Sequence, residues 1–173
     1  MKGVSMEVTL RPVRAKDLEL FERERADREG TGPHQWFGHR PPQPFHREFA
    51  ENGFLGPDSG RMTIEGDGVP VGWVSWWMNS WGPDLTSWCW STGICVFSGY
   101  RGKGIGTQAQ AQLAAYLFAH TRAERIQSFT DAENVAEQRA LEKAGFVREG
   151  VIRRGQWREG AWHDQVLYSA LRP

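Results

Sequence analysis

Residues 87–130 constrain the fold more than any other part of the chain, because they predict a strand, a helix and a second strand in succession. Residues 87–97 are rich in aromatic and β-branched side chains, residues 105–120 have the length and composition of a helix, and residues 125–130 are again strand-like. Two strands joined through a helix of this length pair in parallel, with a right-handed crossover. The sheet is therefore expected to contain one parallel pair of strands.

The elements on either side of this crossover predict an α+β domain whose first half is antiparallel. Further strands are predicted at residues 8–13, 61–65, 69–78, 146–153 and 165–171. Further helices are predicted at residues 15–29, 45–54 and 133–144. The sequence Gly66-Asp67-Gly68 predicts a hairpin, and the glycines and prolines of residues 30–44 predict a long irregular loop.

Composition indicates one globular domain, residues 1–173, without a general attraction for polyanions. The chain is close to the size of a single domain, and 39% of its residues are hydrophobic without any run long enough to cross a membrane. The 21 basic residues balance 21 acidic ones, so neither nucleic acid nor a membrane surface is an expected partner. Residues 1–7 show no export signal, and Cys89 and Cys95 are too far apart along one predicted strand for a disulfide. We therefore expect reduced thiols and a cytoplasmic location.

A glycine-rich loop, residues 100–107 (Tyr-Arg-Gly-Lys-Gly-Ile-Gly-Thr), precedes the helix of the crossover. Glycines allow backbone N–H groups to turn onto an anion at the helix N-terminus, and Arg101 and Lys103 add cationic donors. The loop therefore predicts a pyrophosphate site, although a glycine-rich turn that only caps the helix has the same composition.

Spacing separates three kinds of phosphate loop. A P-loop requires Ser or Thr after its Gly-Lys pair, but Lys103 is followed by Gly104. The pattern Gly104-x-Gly106-x-x-Ala, with Glu124 about 20 residues on, matches a relaxed dinucleotide fingerprint, but that fold needs repeated strand–helix units where this chain predicts hairpins. The third kind is an Arg/Gln-x-x-Gly-x-Gly/Ala loop, which residues 101–106 match at every position.

This third loop resembles that of the GNAT superfamily of acetyltransferases, and the resemblance continues elsewhere in the chain. Ile94-Cys95-Val96 looks like the family's strand before the loop, and Asn134 with Leu141-Glu142-Lys143-Ala144-Gly145-Phe146 resembles its Asn…Tyr/Leu-Glu-Lys-x-Gly-Phe signature. Asp131-x-x-Asn134 and Trp162-His163-Asp164 resemble the branch of ribosomal-protein N-terminal acetyltransferases. The resemblance implies a mixed, mostly antiparallel central sheet with a splayed parallel strand pair and flanking helices.

The resemblance also implies acetyl-CoA as the cosubstrate, bound where the strands at residues 87–97 and 125–130 splay apart. The residues implied in its binding are Ile94, Cys95, Val96, Arg101, Gly102, Lys103, Gly104, Ile105, Gly106, Thr107 and Asn134. The backbone N–H of Val96 is implied as the donor that stabilises the oxyanion formed when an amine attacks the thioester. The acetyl group is then transferred directly to a primary amine, with coenzyme A as the leaving group.

The acid and the base are where the sequence departs from the family pattern. Leu141 stands where many members have a Tyr, and Phe129 stands where some have a Glu, so neither residue can move a proton. Glu137 is the candidate base or ammonium ligand, with an exposed helical Glu as the alternative. No His or Asp is spaced to activate Cys89 or Cys95, and the five histidines show no metal-ligand spacing. We therefore expect neither a covalent mechanism nor a metal.

The acceptor site is predicted from aromatic residues near the cleft. Strand alternation places Trp73, Ser75 and Trp77 on one face of their strand, and an aromatic wall suits a sugar ring or a cationic amine. The candidate substrate-binding residues are Trp36, Phe37, Trp77, Trp90 and Ser91, with core packing as the alternative for the tryptophans. We expect a small-molecule amine acceptor, such as an aminoglycoside-like antibiotic. A protein N-terminus as acceptor, a non-catalytic acetyl-CoA-binding module and a homodimer stay open.

Overall fold

The computed structural model describes residues 6–41 and 43–173, including their side chains except those of Gln43 and Pro44. The strands are β1 (Val8–Pro12), β2 (Ser59–Gly66), β3 (Val69–Ser80), β4 (Trp88–Val96), β5 (Arg125–Asp131), β6 (Val147–Arg158) and β7 (Ala161–Leu171). The helices are α1 (Leu18–Arg25), α2 (Arg28–Thr31), α3 (Gln43–Asn52), α4 (Asp84–Ser87), α5 (Ile105–His120) and α6 (Val135–Lys143). The strands form one sheet in the order β1–β2–β3–β4–β5–β7–β6.

The predicted parallel pair consists of β4 and β5. Trp90 lies opposite Ile126 and Thr92 opposite Ser128, whereas every other neighbouring pair in the described sheet is antiparallel. α5 makes the crossover between the two strands. The expected α+β fold with a mixed, mostly antiparallel sheet is confirmed.

Helices cover both faces of the sheet, and each face has its own hydrophobic core. One cluster, under α5 and α6, includes Trp76, Trp90, Leu113, Leu117, Ile126 and Leu141. On the other face, the ring of Phe21 from α1 lies 4.9 Å from that of Trp73 and 6.0 Å from that of Phe45, measured between centroids. A fully buried Phe contributes roughly 1.5–3 kcal/mol, so this second cluster holds α1 and α3 against the sheet. In the described ranges, no helix has both the length and the apolarity that a membrane crossing requires.

The helix predicted at residues 15–29 is wrong as a single element. α1 ends at Arg25, and Asp27 then accepts a hydrogen bond from the N–H of Gly30 at 2.9 Å, which begins α2. An extended Asp whose side chain caps the following turn is a strong helix start, so the chain changes direction there. Gly30 and Thr31 are therefore helical, and the irregular segment is shorter than the predicted loop at residues 30–44.

The two closing strands are longer than predicted. β6 and β7 form a hairpin in which Arg158 lies opposite Ala161 across the two-residue turn Glu159-Gly160. Both turn residues have positive φ, 49° and 82°, as such a turn requires. His163 and Asp164, which the sequence analysis placed outside the strands, consequently lie within β7.

Candidate active site

β4 and β5 are paired over only three residues, and their separation opens a cleft in the sheet. Pairing ends at Thr92 and Ser128. Beyond this point β4 continues along β3 as far as Val96, with no partner in β5 within the described sheet. The splayed pair implied by the resemblance is present, and it leaves one edge of the β4 backbone free in the middle of the sheet.

The unpaired edge of β4 presents the backbone groups of Ile94 and the N–H of Val96 to the gap, whereas the Val96 carbonyl accepts a hydrogen bond from Arg101. The N–H of Phe97 donates to the carbonyl of Val71 in β3 at 2.9 Å. Successive residues of a strand point their backbone N–H and C=O groups to opposite sides. The groups of Val96 and Ile94 therefore point away from β3. Ile94, Cys95 and Val96 line a cavity of about 420 Å³ in this gap, here called the cofactor cavity. The geometry is compatible with an oxyanion donor at Val96, whose role stays a prediction.

The glycine loop closes one end of the cofactor cavity. Gly102 and Gly104 have φ of 75° and 78°, and Gly104 is the N-cap of α5. A Cβ built at either glycine would have no described atom within 4 Å, so this part of the loop faces open space. Backbone N–H groups at a helix N-terminus, with room in front of them, suit a bound anion. The loop therefore fits the pyrophosphate of acetyl-CoA.

The side chains of Arg101 and Lys103 both donate to backbone carbonyls, and their predicted role as donors to the phosphates stays a prediction. Arg101 donates through Nε to the carbonyl of Val96 at 3.0 Å, through Nη1 to that of Glu29 at 3.2 Å and through Nη2 to that of Gly30. Lys103 donates to the carbonyl of Gly99, just before the loop, at 3.0 Å and does not line the cavity. The backbone is left as the main source of donors, and Arg101 connects β4 to α2.

A second cavity of about 560 Å³, here called the acceptor cavity, lies on the sheet face covered by α1 and α3. It meets the cofactor cavity at the splayed strands. The residues that line both are Thr31, His34, Gln35, Gly93, Ile94, Cys95 and Phe129. A molecule in the acceptor cavity can therefore reach a group held in the cofactor cavity.

Asn134 and Glu137 both lie on the cofactor side. The Asn134 Oδ1 atom accepts a hydrogen bond from the backbone N–H of Glu137 at 3.3 Å, so this side chain caps α6 while it lines the cofactor cavity. Burial raises the pKa of Glu137 to about 7, against the opposing effect of a hydrogen bond with Gln110. That value suits proton transfer near neutral pH. Glu137 does not line the acceptor cavity, however, which disfavours a role as ammonium ligand.

Two of the five predicted acceptor residues, Trp77 and Phe37, line the acceptor cavity. Trp73 and Ser75 line it as well, so the predicted shared face of β3 is confirmed. Trp36 is wrongly predicted, because it lines neither cavity. Its half-buried ring packs edge-on against that of His39, with centroids 5.1 Å apart.

Trp90 and Ser91 are also wrongly predicted as acceptor residues. Trp90 is 4% exposed and donates from its indole N–H to Thr121 Oγ1 at 3.0 Å, on the face of the sheet covered by α5. Ser91 is 1% exposed, and its Oγ accepts a hydrogen bond from Gln127 Nε2 at 3.0 Å. Both side chains are buried and hydrogen-bonded within the protein, so neither faces the acceptor cavity.

Charged groups cluster around Asp131 near the junction of the two cavities. Asp131 Oδ2 lies 2.7 Å from Arg158 Nη2 and 3.6 Å from His163 Nδ1, while Oδ1 lies 3.9 Å from His34 Nδ1. Burial alone would raise the pKa of Asp131, but the backbone N–H of Glu133 and the Arg158 guanidinium outweigh it and lower the pKa. Ligand atoms of Asp131, Glu133 and His163 lie within 4.8 Å of one another. Because Arg158 already supplies a positive charge at Asp131, we interpret the cluster as an ion-pair network.

Both cysteines are free thiols. Burial raises the pKa of Cys95 to about 12, and burial also raises the pKa of Cys89. The nucleophilic form of cysteine is the thiolate, which a raised pKa disfavours. The raised pKa therefore disfavours both thiols as the nucleophile of a covalent mechanism.

Sequence analysis missed the polar residues of the acceptor cavity. Among them are His34, Gln35, Arg25, Arg40 and Arg61. These residues come from α1, from the segment that follows α2 and from β2, and no fixed spacing along the chain connects them. The available signal was the long predicted loop at residues 30–44, which carries three of them.

Two joined cavities at a splayed strand pair, one of them closed by a glycine loop, form the arrangement expected of a coenzyme A-dependent acyltransferase. Residues 7–147 match the family model described as acetyltransferase (GNAT) domain. The chain therefore belongs to the GNAT acetyltransferase family, which uses acetyl-CoA. Comparison with curated protein sequences gave no match.

Solved structures with this fold include three acetyltransferases. Spermidine N-acetyltransferase from Vibrio cholerae, in complex with CoA and spermine, is 18% identical with a TM-score of 0.79 over 95% of both chains. RimJ from Mycobacterium smegmatis, in complex with CoA-disulfide, is 27% identical with a TM-score of 0.74 over 95% of this chain and 81% of that one. Ribosomal-protein-alanine N-acetyltransferase from Brucella melitensis is 18% identical with a TM-score of 0.77 over 94% of this chain and 99% of that one.

Proposed function

We propose that the chain transfers the acetyl group of acetyl-CoA directly to a primary amine that binds in the acceptor cavity. The observation that carries the proposal is the junction of the two cavities along residues 93–95. Acetyl-CoA, when bound, supplies the acetyl group as a thioester. The glycine-loop backbone binds the pyrophosphate, and the free edge of β4 binds the pantetheine. Holding the amine at the junction then removes much of the entropic barrier to reaction.

Two groups are proposed to act on the reacting atoms. The Val96 backbone N–H donates to the oxyanion that develops when the amine attacks. His34 accepts the proton that the amine loses, since it lines both cavities and has Asp131 Oδ1 at 3.9 Å from its Nδ1. Glu137 is the second candidate base, supported by its raised pKa.

The lining of the acceptor cavity supports a singly charged amine over a polycation. Arg25, Arg40 and Arg61 line it, whereas the acid that lines it, Asp131, lies 2.7 Å from Arg158. The Vibrio cholerae structure holds spermine, and an aminoglycoside is likewise a polycation, so like-charge repulsion disfavours both as acceptors here. A small-molecule monoamine and the N-terminus of a protein both stay supported, the latter because the similar Brucella melitensis structure is named as a ribosomal-protein-alanine N-acetyltransferase.

A free-thiol assay with acetyl-CoA and a panel of primary amines tests this function. The panel contains monoamines, amino acids, spermine, an aminoglycoside and peptides with free N-termini. We expect thiol release that depends on the amine, with N-acetylated product detected by mass spectrometry. A non-catalytic acetyl-CoA-binding module would show a higher melting temperature with acetyl-CoA but no thiol release with any amine.

We also propose a cytoplasmic location, supported by the two free thiols. Fractionation of the producing cell tests it. A homodimer stays a prediction, which size-exclusion chromatography with light scattering tests.

A further inference from the structure

Three arginines line the acceptor cavity, and the most informative of them is Arg61. They are Arg25 at the end of α1, Arg40 in the segment before α3 and Arg61 in β2. The guanidinium carbon of Arg61 lies 4.5 Å from the ring centroid of Phe45 and 4.8 Å from that of Phe54. Aromatic faces stabilise a cation without neutralising its charge. In the described part of the chain, Arg61 has no salt-bridge partner.

The Arg61 guanidinium also has unused hydrogen-bonding capacity. Its Nε and Nη1 atoms are buried, and no described residue accepts a hydrogen bond from either. Leaving a buried donor unsatisfied costs about 1–3 kcal/mol, and more for a charged group. An oxyanion in the cavity that Arg61 lines would neutralise its charge, since carboxylate and guanidinium are complementary in shape and in charge.

Neighbouring groups leave this part of the cavity positive. Burial lowers the pKa of Arg61 to about 10, with Glu48 opposing the shift and Arg25 adding to it, so Arg61 stays protonated at neutral pH. Burial also lowers the pKa of Arg25, and the charge of Arg40 lowers it further. Arg25 is therefore close enough to both Arg40 and Arg61 for like-charge repulsion. Asp131, the acid in the lining, is already within an ion pair.

We propose that the acceptor is a primary amine that also carries a carboxylate, and that Arg61, with Arg25 and Arg40 beside it, binds that carboxylate. This inference rests on the proposed function and names its substrate class. Arg61, Ser75 and Gly93 lie opposite one another on β2, β3 and β4, so roughly 10 Å separates the Arg61 backbone from the cavity junction. An amine at the junction and a carboxylate at Arg61 therefore belong to one small molecule or to the first residues of one peptide.

Matched pairs of acceptors test the proposal in the same free-thiol assay. Amino carboxylates from glycine to 6-aminohexanoate are compared with their carboxamides, and the amidated peptide Ala-Glu-Glu is compared with Ala-Gln-Gln. A preference for the carboxylate in the first series would identify a small amino carboxylate as the acceptor. A preference for Ala-Glu-Glu in the second would identify the acceptor as a peptide with acidic side chains. We expect kcat/KM to favour the carboxylate by about tenfold or more in one of the two sets, mainly through KM.

Variants then assign the preference to Arg61. Arg61→Gln should bring the carboxylate-to-carboxamide ratio of kcat/KM close to one. Arg61→Lys, which keeps the charge but loses the bidentate fork, should give an intermediate ratio. Arg122→Gln removes an equal charge from an exposed position that lines neither cavity, and it should keep the ratio of the parent.

Calorimetric titration of the parent protein with N-acetylated carboxylate and carboxamide products, in the presence of coenzyme A, gives a readout that needs neither turnover nor a variant. Tighter binding of the carboxylate product is expected. Equal kcat/KM and equal binding for both members of every pair, in an active enzyme, would overturn the carboxylate proposal alone. An unchanged ratio in a folded Arg61→Gln protein would overturn the role of Arg61. The absence of thiol release with every amine would instead overturn the proposed function.

Discussion

Replacing Gly104 with Val tests the cofactor cavity most directly, because its effects on folding and on binding can be separated. Gly104 has φ of 78°, a left-handed conformation that costs an L residue roughly 1–2 kcal/mol. A Cβ at this position meets no described atom within 4 Å, so packing adds no further penalty. For a chain of 173 residues, 1 kcal/mol corresponds to about 2–4 °C in melting temperature. We therefore expect the unliganded variant to melt about 2–8 °C lower than the parent.

The effect of Gly104→Val on ligand binding should be much larger than its effect on folding. Acetyl-CoA at about 100 times its dissociation constant should stabilise the parent by about 2.7 kcal/mol, which corresponds to an increase of about 5–11 °C. The Val side chain would project into the open space in front of the loop amides and exclude the pyrophosphate. Differential scanning fluorimetry should therefore show the acetyl-CoA shift in the parent and none in the variant.

Gly68→Val is the matched control. Gly68 has φ of 80°, also meets no described atom within 4 Å of a built Cβ, and lies in the β2–β3 turn outside both cavities. It should lose a similar amount of stability and keep the full acetyl-CoA shift. An equal acetyl-CoA shift in both variants would refute the placement of the pyrophosphate. A parent protein stabilised by NAD but not by millimolar acetyl-CoA would refute the assignment of the cofactor.

Four further substitutions test the proton transfer, the lining of the acceptor cavity and acid stability. Because burial raises the pKa of Glu137 from 4.5 to about 7, stability should fall as the pH rises between these values. Glu137→Gln should remove this pH dependence of the unfolding free energy, measured by urea unfolding. It should also lower kcat more than it lowers the affinity for acetyl-CoA. A rate–pH profile identical to that of the parent would exclude Glu137 as the base. Phe37→Ala should raise the KM for the acceptor with little change in melting temperature, because Phe37 lines the acceptor cavity. Trp36→Ala should change that KM less. A larger effect on KM from Trp36→Ala than from Phe37→Ala would contradict this lining. Since Arg125 lowers the pKa of Glu149 to about 2, the stability present above pH 4.5 is lost as the pH falls toward 2. Glu149→Gln should reduce the fall of the urea unfolding midpoint between pH 4.5 and 2. An unchanged fall over this pH range would count against the ion pair with Arg125.

The cofactor cavity could be predicted from the sequence because its parts are local. The glycine loop, the strand before it and the helix after it follow one another within residues 94–107, so spacing alone specifies their relation. Asn134 could be found from its separation along the chain from the motif that ends in Gly145-Phe146. The side-chain contacts of Arg101 could not be found in this way, because its acceptors at residues 29 and 30 are far away in the chain.

The acceptor cavity could be predicted only in part, because it depends on strand register. Alternation correctly placed Trp77 and Ser75 on one face, but it does not say which residues of the next strand share that face. In the structure Trp77 lies opposite Ser91 and Met78 lies opposite Trp90, which sends Trp90 to the α5 side. A shift of one residue in register would reverse this assignment. The arginines of the cavity come from three separate elements, so neither periodicity nor a motif could bring them together.

Arg101 links the two halves of the site, and this link gives its substitution a distinctive outcome. Its guanidinium donates to the carbonyl of Val96 at the end of β4 and to those of residues 29 and 30 in α2, four to six residues before His34 and Gln35. The carbonyl of His34 is in turn held by Arg158 Nη1 at 3.3 Å. Misplacement of a substrate by about 1 Å can cost a hundredfold in rate. These contacts should therefore position the lining of the acceptor cavity as well as the glycine loop. Arg101→Met should therefore raise KM for both acetyl-CoA and the amine, in steady-state kinetics on a folded variant. A rise for acetyl-CoA alone would show that Arg101 acts as a direct phosphate ligand instead.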